Sequence, residues 1–132
     1  MTKSISLKSK SRNEFIDITT NIRSIFNESG ITSGMCLIYV PHTTAAVTIN
    51  EGADPAVVKD ILNTLNKLIP HSGNYLHAEG NSDAHIKTAL VGSSQTIIIE
   101  GGRLLLGTWQ SVFFCEFDGP RQRNVMVKIT GD

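Results

Sequence analysis

The hydrophobic and polar positions along this chain change period several times, and each change marks an element. Residues 3–9 alternate, with Ile5 and Leu7 on one side, the pattern of a strand with one wet face. Ser11 followed three residues later by Glu14 has the form of a capping box. Phe15, Ile18, Ile22, Ile25 and Phe26 then recur at helical spacing up to Gly30, which predicts a first helix from Asn13 to Ser29. The apolar run MCLIYV (35–40) is too short for a typical helix and reads as a buried strand. Pro41 breaks it, because proline has no N–H to give to a ladder, and TAAVTIN (44–50) resumes as a second strand. Asp54-Pro55 is a helix start, a capping carboxylate followed by proline at the first helical position. Val58, Ile61, Leu62, Leu65, Leu68 and Ile69 form the expected buried stripe of that helix, and Pro70 ends it.

Residues 71–82 are polar and glycine-bearing, and connections of that length in compact domains are often functional. Ser82 or Asp83 caps a short third helix ending at Gly92. Strands follow in QTIIIE (95–100), in RLLLG after a GGR turn, in TWQSVFFCEFD and in RNVMVKIT, where Val125, Val127 and Ile129 share a face. Gly119-Pro120 turns the last two. The order is not the strict βα alternation of a doubly wound sheet. It predicts one α+β domain over residues 1–132, a mostly antiparallel sheet or sandwich with helices on one side.

Composition narrows the function classes. Lys+Arg and Asp+Glu number twelve each, so no net field gathers nucleic acid or anionic lipid, and RLLLG with GPRQRN is the only local basic candidate. The N-terminal segment has no apolar secretory stretch, and no run approaches the ~20 residues of a membrane span. Cys36 and Cys115 lie in apolar runs without metal-ligand spacing, which reads as buried free thiols. A soluble cytoplasmic protein with no nucleic-acid or membrane partner is the expectation.

The chemistry-bearing residues fall in three segments. His42 stands at the strand break, and His77 and His85 lie in NYLHAEGNSDAHIK, with no apolar helical stripe claiming them. Three neutral imidazoles suit a zinc ion with water in the fourth position. Glu51, Glu79 and Asp83 are placed to orient a ligating imidazole or to carry protons. The alternative is a set of loop histidines with ordinary hydrogen bonds, and His71, at a helix exit, reads that way. Thr43 and Thr44 offer hydroxyls to a phosphate, or simply belong to a strand. Asn50 and Glu51 either cap the turn after that strand or take part in the site. In GGRLLLGTWQ, Gly102 allows close backbone approach, Arg103 offers a fork suited to phosphate, and Trp109 with Gln110 offers a ring to stack on and an amide. The alternative there is a hairpin with a core tryptophan.

PHTTAAVTINEGADP, NYLHAEGNSDAHIKTALVGSS and IIIEGGRLLLGTWQSVFFCEFDGPRQR together resemble the YjbQ-type proteins, named secondary thiamine-phosphate synthases and long listed as uncharacterised. The similarity runs over nearly the whole chain. Its most specific part is S-x-x-I-x-I-x-x-G-x-x-x-x-G-T-W-Q from Ser94. The link HAEGNSDAH is shorter than in some relatives, which affects the shape of that loop.

The resemblance implies a homotrimer with sheets packed about the threefold axis. It also implies that His42, His77 and His85 gather in a pocket near a subunit boundary, where a divalent metal binds. Zinc is favoured by the imidazoles, and magnesium is the alternative. The implied reaction is a transfer that joins hydroxymethylpyrimidine diphosphate to thiazole phosphate and releases pyrophosphate. For it, Arg103, Lys87 and a metal would neutralise the diphosphate and Trp109 would receive the flat ring. A histidine-rich site is an awkward host for magnesium diphosphate, which prefers carboxylate oxygens. Two rivals therefore stand beside the synthase: a metal-dependent hydrolase or lyase on a small phosphorylated or carbonyl metabolite, and a non-enzymatic trimer that binds a small molecule.

Overall fold

The computed structural model describes residues 1–132 as two antiparallel sheets packed face to face, with three helices. The larger sheet holds β1 (Thr2–Lys8), β8 (Gln122–Gly131), β3 (Gly34–Tyr39), β5 (Ser94–Glu100) and β6 (Arg103–Leu104), in that order. The smaller holds β2 (Glu14–Asp17), β7 (Gln110–Glu116) and β4 (Ala45–Glu51). Alternation places the inward residues. Cys36, Ile38, Ile97, Ile99, Val125, Val127 and Ile129 from the larger sheet meet Val47, Val112 and Phe114 from the smaller in one core. The continuous apolar run of β7 follows from its central position, because both of its faces are covered. Its second face, Phe113 and Cys115, joins Phe117, Ala46 and Ala84 in a smaller cluster beneath α2 (Pro55–Leu68) and α3 (Ser82–Val91).

The helices are not all on one side, as the sequence pattern suggested. α2 and α3 cover the outside of the smaller sheet, while α1 (Thr19–Ser29) inserts Ile22 and Phe26 into the main core and contacts β8 and β7. The expected start of α1 at Asn13 is also corrected. Glu14–Asp17 pair with Glu116–Phe113 of β7, setting Phe15 against Phe113 with ring centroids 5.8 Å apart. The Glu14 carboxylate does reach back to the backbone N–H groups of Lys10 and Ser11, but it closes a turn before a strand. Four residues of ladder and an aromatic contact outweigh a local helix signal. Gly30, at φ 69°, ends α1 where expected.

The stripe on α2 is less buried than its period suggested. No residue of this helix is fully buried, and Leu68 is 69% exposed. Only Val58 and Leu65 pack on the smaller cluster, because five buried side chains offer too little apolar area for six hydrophobic positions. The start of α2 is as predicted, with Asp54 Oδ1 accepting from the Ala56 N–H at 2.9 Å. Asp54→Ala is expected to cost about 1 kcal/mol in a urea unfolding titration, the usual worth of such a cap.

The outer face of the larger sheet has no covering element. Met35, Leu37, Tyr39 and Ile98 stand exposed there, with Met35 directly opposite Ile98. Both cysteines are free and buried, as expected. Burial pushes the Cys36 thiol up to about 11 and that of Cys115 higher still, so neither is a nucleophile near neutrality. No helix is long and apolar enough to cross a membrane.

Candidate functional site

The break after β3 and the helix α3 build one end of the molecule. Pro41 interrupts the ladder, leaving His42 half-buried and Thr43 exposed just before β4 begins at Ala45. The backbone N–H of Asn124, on neighbouring β8, donates to His42 Nε2 at 3.0 Å. Burial and the nearby Arg123 guanidinium hold His42 below the ordinary imidazole value, so it is neutral near pH 7. A cleft of about 400 Å³ runs from His42 and Thr43 to His85, Thr88 and Ser93. On the other side of His85 a second cleft, about 450 Å³, is walled by His77, Tyr75, Ser82 and Ile86. His77 and His85 meet edge to face with ring centroids 5.3 Å apart. His77 Nε2 lies 3.8 Å from Glu79 Oε2. His85 is therefore the wall shared by both clefts.

Within one chain the three histidines do not make a common coordination group. No set of three His, Cys, Asp or Glu side chains lies close enough together to hold a metal ion. His77 and His85 are brought together; His42 shares a cleft with His85 but spends its Nε2 on Asn124. His71 is a loop fastener, its Nε2 3.0 Å from the Gly80 carbonyl oxygen.

Two buried ionic networks stand behind this end. In the first, Arg123 grips Glu116 through two contacts, Nε–Oε1 at 2.9 Å and NH2–Oε2 at 2.6 Å. The remaining capacity of the carboxylate is taken by the Ser9 hydroxyl and the N–H groups of Phe117 and Asp118. Arg123 shares the inward parity of Val125 and Val127, and Glu116 that of Val112 and Phe114, so the pair joins the two sheets across the interior. Thr44 is buried and its Oγ1 accepts from Arg123 at 2.8 Å. Its hydroxyl supports this pair instead of facing a ligand, as the sequence had suggested.

The second network pins α3. Asp83 is fully buried, with Oδ1 3.1 Å from Arg12 NH2 and Oδ2 3.9 Å from Lys87 Nζ. Lys87 is 1% exposed and donates to Asn66 at 2.6 Å and Asn13 at 3.0 Å. Burial lowers its pKa, Asp83 opposes that and Arg12 adds to it. Asp83 and Lys87, expected as catalytic and substrate-binding groups, thus face inward and fix the helix that carries His85. Arg12 and Arg121 also bind Asp118, so the candidate basic patch around GPRQR is spent on internal carboxylates.

Arg103, Trp109, Gln110, Asn50 and Glu51 lie at the opposite end. Ala45 is opposite Glu116 and Glu51 opposite Gln110, so six residues of β4, about 20 Å of strand, separate them from Thr43 and His42. Arg103 is exposed and pairs in register with Glu100, and Gly102 N–H donates to the Thr32 carbonyl at 3.0 Å. Trp109 is 64% exposed rather than a core residue. Gln110 Oε1 accepts from Gly107 N–H, which orders the loop bearing Trp109. Asn50 Oδ1 and Glu51 Oε2 accept from the N–H groups of Glu51 and Asp54, so both side chains cap the turn into α2.

Pattern reasoning passed over Arg12, Glu116 and Asp118, and took Arg123 only as part of a surface basic patch. A signal for two of them was present: Glu116 and Arg123 are charged residues at inward strand parity, where burial demands a partner.

The relatives agree with this architecture. The family model for "UPF0047 protein YjbQ-like" matches residues 3–132. The UPF0047 protein MJ1081 of Methanocaldococcus jannaschii is 60% identical over 126 residues, covering 96% of this chain and 91% of that protein. The UPF0047 protein YugU of Bacillus subtilis is 51% identical over 132 residues, covering 99% of this chain and all of that protein. A crystal structure of an uncharacterised conserved protein of the YjbQ/UPF0047 family from Clostridium acetobutylicum superposes with a TM-score of 0.95 at 55% identity, covering 97% of this chain and 99% of that one. With sequence and fold matched end to end, the chain belongs to the YjbQ-like UPF0047 family.

Proposed function

We propose that this protein is a trimeric enzyme acting on small phosphorylated metabolites, with thiamine-phosphate synthase activity, at a site completed between subunits. The supporting observation is the split of the exposed site residues. His42, Thr43, His77 and His85 lie at one end of the sandwich, and Arg103, Trp109 and Gln110 at the other. One chain cannot bring them to one ligand. A second copy can, and the open apolar face of the larger sheet is a surface for it.

In this reading the thiazole nitrogen attacks the pyrimidine methylene carbon as the C–O bond breaks and pyrophosphate leaves with the electron pair. Arg103 of one subunit receives the departing charge, Trp109 stacks on the flat ring, and the imidazoles of the neighbouring subunit hold oxygens and protons. The proposal places the protein in the cytoplasm, where its two thiols stay reduced.

A divalent metal fits the donor set in part. His77 and His85 are close enough to share an ion, and their nitrogens suit zinc better than magnesium. Asp83 is withheld by Arg12, and Glu79, 73% exposed, is the carboxylate at hand. Such an ion would polarise a phosphoryl or carbonyl oxygen. This pair also motivates the second reading, a metal-assisted hydrolase or lyase.

His85→Ala tests the site common to both. We expect turnover of the pyrimidine and thiazole phosphates to fall by about 10²–10⁴-fold, the usual worth of an acid–base group, with the circular dichroism spectrum unchanged. Wild-type turnover would reject the reading. Loss of hydrolysis across a phosphoester panel, without any synthase turnover in the wild type, would favour the second.

A further inference from the structure

The hydrogen bond to His42 determines which ring nitrogen carries its proton. A peptide N–H only donates, so His42 Nε2, 3.0 Å from Asn124 N, must present a lone pair. In the neutral ring the proton then sits on Nδ1. The ring orientation is not arbitrary, because the main-chain hydrogen is fixed. Turning the imidazole over would set a C–H against that N–H and lose the bond. In this arrangement Nε2 is occupied, and a protonated Nδ1 has no lone pair for a metal.

The cleft in front of His42 has a matching character. The exposed, hydroxyl-bearing Thr43 and Ser93 line it, and no aspartate or glutamate does. Thr88 also borders the cleft, but its Oγ1 is sealed within the chain on the inward side of α3 and is not offered to a ligand.

We infer that His42 is a hydrogen-bond donor, through Nδ1–H, to a phosphoryl oxygen of a ligand held between the β3–β4 break and α3, with Thr43 and Ser93 as its companions, and that it is not a metal ligand. This removes His42 from the three-histidine metal set and leaves any ion to His77 and His85. It names the group recognised at one half of the proposed site and holds for any phosphorylated ligand, whether or not the synthase reaction is the natural one.

Nitrogen-15 spectra of the full-length protein test this at neutral pH. Without metal, His42 should show a pyrrole-type Nδ1 and a pyridine-type Nε2. Inorganic pyrophosphate should shift Nδ1, and His42→Ala should weaken pyrophosphate binding roughly tenfold, the loss expected of one hydrogen bond to a charged oxygen. Thr43→Val should weaken it in the same direction. Zinc should move the His77 and His85 resonances and leave His42 in place, with unchanged zinc affinity in His42→Ala. An Nε2–H tautomer, a metal-type shift at His42, or undiminished pyrophosphate affinity in His42→Ala would each overturn the inference. None of these readouts depends on synthase turnover, so the two proposals fail separately.

Discussion

Arg123→Met is expected to lower the unfolding free energy by about 3–5 kcal/mol, the cost of leaving a buried charge without its partner. Glu116 is fully buried, and Arg123 supplies its only cationic contacts. Methionine fills most of the volume but offers nothing to either carboxylate oxygen. The double variant Glu116→Gln with Arg123→Met should recover part of the loss, since an uncharged amide is cheaper to bury than a lone carboxylate. Urea unfolding of the three proteins at neutral pH measures both effects. A wild-type midpoint in the single variant would show that the pair contributes nothing.

The same network predicts an acid response. Burial alone would raise the Glu116 carboxyl, but hydrogen bonds from Arg123, Ser9 and the Asp118 N–H outweigh it and hold the group below the usual carboxylate range. Asp118 behaves alike, burial being outweighed by Asn81, Arg121 and Arg12. Folded values lower than unfolded ones mean that this stability is fully present above the unfolded carboxylate range. It is lost as pH falls through the folded values. Unfolding free energy should therefore decline on acidification in the wild type, and less steeply in Arg123→Met, where much of the Glu116 contribution is already gone.

Ile98→Lys is expected to convert the proposed trimer into monomers while leaving the chain folded. Ile98 is 58% exposed in the single chain, on the outer face beside Met35, so an isolated subunit accepts lysine there at little cost. In an assembly built on this face, each copy would have to bury an ammonium without a partner, which costs several kcal/mol per subunit. Light scattering at micromolar concentration reads the mass. A wild-type monomer would sink the trimer, and a trimeric Ile98→Lys would move the interface elsewhere. If the site is shared between subunits, turnover should fall with the mass, although Ile98 touches no proposed ligand.

Much of the fold was legible because local physics dictated it. Period-two alternation gave the inward faces of β1 and β8, and Asp54-Pro55 and Gly30 marked helix ends by chemistry that needs no distant partner. The candidate site was legible only as a list. The histidines, Arg103 and Trp109 were recognised as unusual for their surroundings. Their mutual positions depend on β4 and β7 lying antiparallel, which puts one group at each end.

From sequence alone, then, came the antiparallel α+β plan, the family resemblance, the buried thiols and the residues with chemistry to offer. These follow from short-range periodicity, capping and motif. Tertiary structure alone decided that Glu14–Asp17 are strand, that Asp83, Lys87 and Thr44 turn inward while Trp109 turns out, that Glu116 and Arg123 join the sheets, and that His42 accepts at Nε2. Each of those outcomes is set by a partner far along the chain. The balance between burial and pairing has no local signature until the sheets are packed together.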